Sequence, residues 1–255
     1  MKSWLVRWFG FPATLVHGDT LVLDRWLWLK GHLPPAAGRG KRLLDVGCGT
    51  GAFTIGTARL GYQALGLSWD ERNQKVAGER ALLCKAALAE FQVLDVRRLD
   101  ERAELQGSFE IVVCCENIEH ILDDRKLMVD MARCMKPGGT LLLTTPNFHY
   151  RPITRGDDGP FLQVESGWHV RRGYTPDDLR RLCDSAGLRV VQIGYCSGLL
   201  SQKATMLMRV ASRIHPLVGW AVVLPLRTLP PLLDSWISRV TGWPGFSITL
   251  VATKS

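Results

Sequence analysis

The run Leu43-Leu44-Asp45-Val46-Gly47-Cys48-Gly49-Thr50-Gly51 joins an apolar strand to a glycine-rich turn, and Ala52–Ala58 then opens a helix. Glycines adopt positive φ and let a ligand approach closer than a Cβ would permit. The acid at the strand end, Asp45, can orient the loop or accept from an amino group. Such a turn suits a nucleotide-like cofactor. Its G-C-G-T-G spacing differs from the G-x-G-x-x-G of dinucleotide sites, which stay as the rival reading. A second constellation, Glu116-Asn117-Ile118-Glu119-His120, follows the apolar run Phe109–Cys115. Residues three and four apart share a helix face, so Glu116, Glu119 and His120 have a conceivable metal-binding spacing. No further ligands cluster nearby in the sequence, and no metal is predicted. His169 is the first candidate for a general base, with His149 and His120 as alternatives, because a free imidazole titrates near neutrality. Each reads equally well as a structural histidine.

The elements that must position these groups alternate after residue 40. Strand-like runs are Arg42–Val46, Gln63–Leu67, Phe91–Leu94, Phe109–Cys115, Thr140–Thr145, Leu188–Tyr195 and Ser247–Ala252. Helix-like runs are Ala52–Leu60, Asp70–Ala89, Asp123–Met135 and Thr175–Ala186. Pro137-Gly138-Gly139 is read as a helix stop that turns into the next strand. Thr175-Pro176-Asp177-Asp178 supplies a cap, a proline at N1 and acids at the positive end of the helix dipole. Seven strands interleaved with helices predict an α/β, mostly parallel, doubly wound sheet with helices on both faces. Ligands of such sheets bind beyond the carboxyl ends of the strands. The chemistry is therefore expected in the loops after residues 46, 67, 94 and 115.

In motif and order, residues 41–147 resemble the class I S-adenosylmethionine (SAM)-dependent methyltransferases, of the type 11/12 kind, with a looser match in the final strands. The resemblance implies methyl transfer from SAM. It implies that Asp45, Gly47, Cys48, Gly49 and Gly51 form the loop holding the amino acid end of SAM, with Cys48 also readable as a small loop filler. The family usually ends the second strand with an acid on the ribose; here Ser68 stands in that place, as in the branch that includes the cyclopropane fatty acid synthases. Trp69 would then pack on the adenine or ribose; otherwise it is core and Ser68 caps the helix at Asp70. Asp95 and the Val96 amide would hold the adenine, or Asp95 caps the turn before Arg97-Arg98. Glu116 would lie beside the methionine part.

Length and composition set the bounds. A chain of 255 residues with 46% hydrophobic and 22% charged residues can bury one large core. The seven cysteines include no C-x-x-C pair, which predicts a reduced, cytoplasmic setting. The N-terminus does not read as a signal peptide, because Arg7, His17 and Asp19 break its apolar stretch. The run Leu217–Leu226 is half a bilayer span and contains Pro225, so no integral membrane protein is predicted.

Three regions lie outside the cofactor motifs. Residues 1–40, with Trp4, Trp8, Trp26 and Trp28 among Lys2, Arg7, Arg25 and Lys30, are expected to form an N-terminal helical cap, with His17-Gly18-Asp19 reaching the active site. Residues 41–198 and 246–255 form the cofactor core. Within it, 146–174 is expected to be a substrate-side loop or lid, whose Arg155, Arg171 and Arg172 either bind an anion or stay solvated.

Residues 199–245 are expected to be an amphipathic helical insertion. Leu200, Ala204, Leu207, Val210, Ala211 and Ile214 recur at helical spacing, with Gln202, Thr205, Arg209, Ser212 and Arg213 on the other face. Trp220, Pro225, Arg227, Pro230, Pro231, Trp236 and Trp243 follow. The segment carries five Lys/Arg against one acid, Asp234, and the chain has a net charge of +8. This suits either the inner face of an anionic membrane or a small subdomain over the substrate pocket. The sequence therefore predicts a SAM-dependent methyltransferase acting on a small or lipid-like acceptor. The transferred atom and the oligomeric state stay open, and nucleic acid is an unlikely partner. The alternatives are an RNA or protein methyltransferase on the same core, or a non-catalytic binding protein.

Overall fold

The computed structural model describes residues 3–16, 21–34, 40–215 and, within 218–255, all but 220, 222, 223, 225 and 227–229, with the backbone alone at 230–232. The expectations for His17-Gly18-Asp19, Trp220, Pro225 and Arg227 lie outside the described residues, as do the side chains of Pro230 and Pro231.

Seven strands form one sheet: β1 (Arg42–Val46), β2 (Gln63–Ser68), β3 (Ala89–Val93), β4 (Phe109–Cys115), β5 (Met135–Pro146), β6 (Leu188–Cys196) and β7 (Ser247–Lys254). Their order is β3-β2-β1-β4-β5-β7-β6. The first five pair in parallel, while β7 runs antiparallel to both β5 and β6. The strand order reverses between β1 and β4, so the loops after Val46 and Cys115 meet at the switch point, where such sheets bind ligands. Alternate residues of β1 serve two cores. Leu44 and Val46 pack with α6 (Asp124–Cys134) and α7 (Pro176–Ser185). Leu43 packs with α4 (Ala52–Arg59), α5 (Glu71–Leu83) and the N-terminal helices α1 (Trp4–Phe9), α2 (Phe11–Val16) and α3 (Leu21–His32).

Helix α7 starts as its sequence dictates: Thr175 and Asp178 form a reciprocal capping box with Pro176 at the first helical position. Two elements differ from expectation. The helix predicted over Asp70–Ala89 ends at Leu83, because Lys85 takes φ 52 and the Ala86 amide reaches back to the Ala81 carbonyl. That is a left-handed helix stop made without the glycine that normally announces it. The strand predicted over Thr140–Thr145 begins earlier, at Met135. Pro137-Gly138-Gly139 forms an irregularity inside it, where the register against β4 shifts between Phe109 and Ile111.

Beyond β6 the chain adds α8 (Leu199–Ala211) and α9 (Pro230–Thr241). Helix α9 caps α8 from outside: Asp234 accepts from the Gly198 and Leu200 amides at 2.6 and 2.7 Å, and Ser238 from the Leu199 amide at 2.8 Å. A Cβ at Gly198 would lie 1.9 Å from the Ser238 hydroxyl, so this approach requires glycine. The buried face of α8 mixes apolar residues, Ala204 and Met208, with polar ones. Ser201, Gln202 and Thr205 are buried, while Leu207 and Val210 are exposed, as is Ile214 just beyond. The buried Gln202 amide is satisfied by the carbonyls of Ser197 and Pro244 and by the Trp243 indole. No described helix is long and apolar enough to cross a membrane.

Candidate functional site

A cavity of about 410 Å³ opens at the switch point. It is walled by Gly47 and Gly49 after β1, Ser68 and Trp69 after β2, Asp95 and Val96 after β3, and Glu116, Asn117 and His120 after β4. The glycine loop is pinned to the end of β2 by the Gly47 and Cys48 amides, both donating to the Leu67 carbonyl. Gly47 sits at φ 83, and a Cβ there would lie 2.3 Å from the Asn117 side chain. Only glycine lets the loop lie this close to the β4 turn.

Three residues expected to touch the cofactor, Asp45, Cys48 and Gly51, do not line this cavity. Asp45 is buried and accepts from the Thr54 hydroxyl at 2.6 Å; burial pushes its carboxyl up to about 6, against that hydrogen bond. The Cys48 thiol turns away toward Gln74, and it lies 2.8 Å from where a Gly66 Cβ would be, which is the loop-filler role. Burial raises its pKa, so it is a packing group rather than a nucleophile. Gly51, at φ 80, starts α4 against Phe91 and Ala77.

The cavity wall mixes free and engaged groups. Trp69 is 66% exposed, so it is not a core residue. Ser68 accepts from the Asp70 amide at 3.4 Å, while the helix cap proper is Asp70. Asp95 caps the turn after β3 and takes the Arg97 guanidinium, which holds its carboxyl below the usual carboxylate range. Glu116, at φ 50, is the strained residue of the site. It accepts from Arg25 at 2.9 Å and from Ser247 at 3.0 Å, which ties α3 and β7 to the β4 turn.

The loop 146–174 supplies a wall the sequence did not specify by residue. Glu165, Ser166 and Gly167 line the cavity. Glu165 pairs with Arg97 and accepts from the Leu122 amide, so two charges and one amide hold the loop over the opening. Arg171 and Arg172 are structural pins rather than anion binders or solvated groups: Arg171 bonds Asp124 and the Ile121 and Leu122 carbonyls, and Arg172 bonds Asp158 and the Phe148 carbonyl.

The structure separates the three candidate histidines. His120 lines the cofactor-side cavity and stacks edge-on against His169, with ring centroids 4.7 Å apart. Both approach the buried Glu119, whose Oε1 lies 3.9 Å from His120 Nε2 and 4.0 Å from His169 Nε2. Glu116 is not in this cluster, whereas His169, distant in sequence, is. Burial and the charge of Glu116 push Glu119 well above the carboxylate range. Burial lowers His120, and burial together with His120 lowers His169 to about 4. His169 is therefore a weaker proton acceptor than its residue type suggests.

His149 lies elsewhere, on a second, larger cavity of about 620 Å³ between α3, α9 and the segments flanking β6 and β7. The two cavities share no lining residue. Arg25, next in sequence to Asp24 on the second cavity, bonds Glu116 on the wall of the first.

Comparison with known proteins agrees with this geometry. Residues 25–193 match a family model described as a methyltransferase domain. The chain is 36% identical over 141 residues to a ubiquinone biosynthesis O-methyltransferase of Albidiferax ferrireducens, covering 55% of this chain and 54% of that protein. It is 37% identical over 211 residues to the protein of the same name from Xanthomonas axonopodis pv. citri, covering 81% and 84%. The chain thus spans about half the length of the first and most of the second. In three dimensions it resembles a SAM-dependent methyltransferase from Mesorhizobium loti, with a TM-score of 0.56 at 16% identity over 94% of this chain and 100% of that one.

Proposed function

The chain belongs to the methyltransferase-domain family of SAM-dependent enzymes, and within it we propose that it carries a methyl group from SAM to a small, lipid-like acceptor. The observation that carries this reading is the switch-point cavity, walled by the loops after four parallel strands with Gly47 pressed against Asn117.

Its residues suit SAM. Gly47 and Gly49 leave room for close backbone approach. Asn117 Nδ2 is buried without a hydrogen-bond partner and is free to donate. Ser68 and Trp69 offer one hydroxyl and one aromatic face for the nucleoside end, while Glu116 stands at the opposite side. SAM supplies an electrophilic methyl group on a sulfonium, so no activation by a metal is needed. The protein's task is to align acceptor and methyl carbon and to exclude water. The Glu165–Gly167 cover, locked by Arg97, performs the second task. A hydroxyl acceptor must lose its proton as the new bond forms, and a histidine at its cavity takes it. The names of the relatives favour oxygen as the acceptor atom.

The lipid-like character of the acceptor is supported by the exposed apolar residues of the insertion. Leu207, Val210 and Ile214 recur at i, i+3 and i+7 and are exposed; so do Leu233, Trp236 and Val240 on α9. Lys203, Arg213 and Arg239 lie exposed among them. Apolar stripes bordered by cations suit the surface of an anionic membrane, where a lipid-like acceptor resides.

The test is transfer from SAM with a labelled methyl group in a whole-cell extract, followed by partition. Label in the organic phase is expected. Label confined to RNA or protein would replace the acceptor class, and no label from a competent extract would favour a non-catalytic binding protein.

A further inference from the structure

The second cavity has a mostly apolar surface shaped by Leu27, Trp28, His149, Tyr195 and Trp243. One group on its wall has no structural explanation. Asp24 is 7% exposed, and neither carboxylate oxygen makes a hydrogen bond. Its acidic neighbour Asp234 is fully used in capping α8. The hydroxyls of Ser201 and Ser197 lie near enough to Asp24 to favour its charge without bonding it in normal geometry. A buried acid left this way is unfavourable, and a hydrogen-bond donor from outside the fold would satisfy it.

Position narrows what that partner is. Asp24 opens on the second cavity, while the next residue, Arg25, bonds Glu116 on the wall of the first. Helix α3 therefore lines the second cavity with one side chain and, with the next, bonds a wall residue of the first. Asn147 and His149, which follow β5, bring the core to the same wall. The aromatic residues suit a flat apolar body, and the single orphan carboxyl suits one hydrogen-bond donor upon it.

We propose that the second cavity is the acceptor pocket, and that Asp24 holds a hydroxyl group of a small, largely apolar aromatic acceptor. Calling the ligand an acceptor rests on the methyltransferase reading above; its binding chemistry does not. Burial pushes Asp24 up to about 7, and both its protonated and ionised forms accept a hydrogen bond from a hydroxyl.

The test uses the full chain and two probes, 4-heptylphenol and its methyl ether 4-heptylanisole, followed by tryptophan fluorescence, since Trp28 and Trp243 line the cavity. The phenol is expected to bind about 10-fold tighter than the ether. Asp24→Leu should erase that preference without lowering Tm, because it replaces an unsatisfied polar group by an apolar one of similar shape. Ser235→Trp, which fills the cavity from α9, should abolish phenol binding while SAM affinity, measured by calorimetry, is unchanged. Equal binding of the two probes, binding of neither, a preference that survives Asp24→Leu, or phenol binding that survives Ser235→Trp would each overturn the proposal. Failure of the wild-type chain to bind SAM would strike the methyltransferase reading and leave the phenol result standing.

Discussion

The switch-point cavity and the cavity beside Asp24 are built by different means. The switch-point cavity is made by backbone: strand ends, a glycine loop pinned to the Leu67 carbonyl, and a β4 turn that permits no side chain at Gly47. The second cavity is made by side chains that two helices, α3 and α9, and the loops beside β6 and β7 add to the sheet, and its distinguishing group is an acid with no hydrogen-bond partner. The first arrangement is rigid and suits a ligand that never changes. The second alters with substitutions at the positions of α3 and α9 that line it. A shared core can thus keep one cofactor while its acceptor varies, because function resides in sites grafted on folds.

The comparison predicts graded effects. The largest falls on the backbone cavity: Gly47→Val drives a branched side chain into Asn117 and should weaken SAM binding by more than about 10²-fold, while far-UV circular dichroism shows the fold intact. Unchanged affinity would remove the glycine loop from the cofactor site. Next comes the proton acceptor. His149→Ala should slow transfer by roughly 10²-fold with SAM binding retained, and His169→Ala should slow it less. The opposite order would move the acceptor to the His120–His169 side of the Arg25–Glu116 bridge.

Smaller effects follow at the periphery. Leu207→Ser combined with Trp236→Ser should lower binding to phosphatidylglycerol vesicles about 10-fold without affecting SAM affinity. An unchanged affinity for vesicles would assign the insertion to the pocket alone. The smallest effect is one of pH. Asp24 rises from 3.8 to about 7 on folding, chiefly by burial, with Asp234 adding to the rise and Arg25 opposing it. The native state then holds a proton that the unfolded chain releases, so this group's contribution to stability is lost as pH climbs from about 4 to 7 and is level above. The Tm advantage of Asp24→Leu over wild type should therefore widen by about 8 °C across that window; a constant gap would mean that Asp24 titrates normally.

The sequence was most legible where structure is local. The strand–glycine loop–helix run, the order of motifs and the Thr175 capping box each depend on residues within a few positions of one another. They correctly indicated the seven-stranded sheet and where its strands end. The overlong helix after Asp70 shows the limit: Lys85 takes a left-handed turn that no glycine marks. The site was less legible because its decisive juxtapositions are long-range. Arg25 meets Glu116 and Ser247, Glu165 meets Arg97, and His169 joins His120 only after the sheet is formed. The periodicity of α8 did not fix its buried face: Ala204 turns inward with Gln202 and Thr205, while Arg213 stays out with Leu207 and Val210. The Ser197 and Pro244 carbonyls, distant in sequence, receive the Gln202 amide there.

The most direct test of the two-cavity account is a crystal structure of the full chain grown with S-adenosylhomocysteine and 4-heptylphenol together. The account predicts the nucleoside product against Gly47, Ser68 and Asn117, and the phenol hydroxyl on Asp24. The nucleoside product seated between Trp28 and Trp243, or the phenol beside His120 and His169, would contradict it.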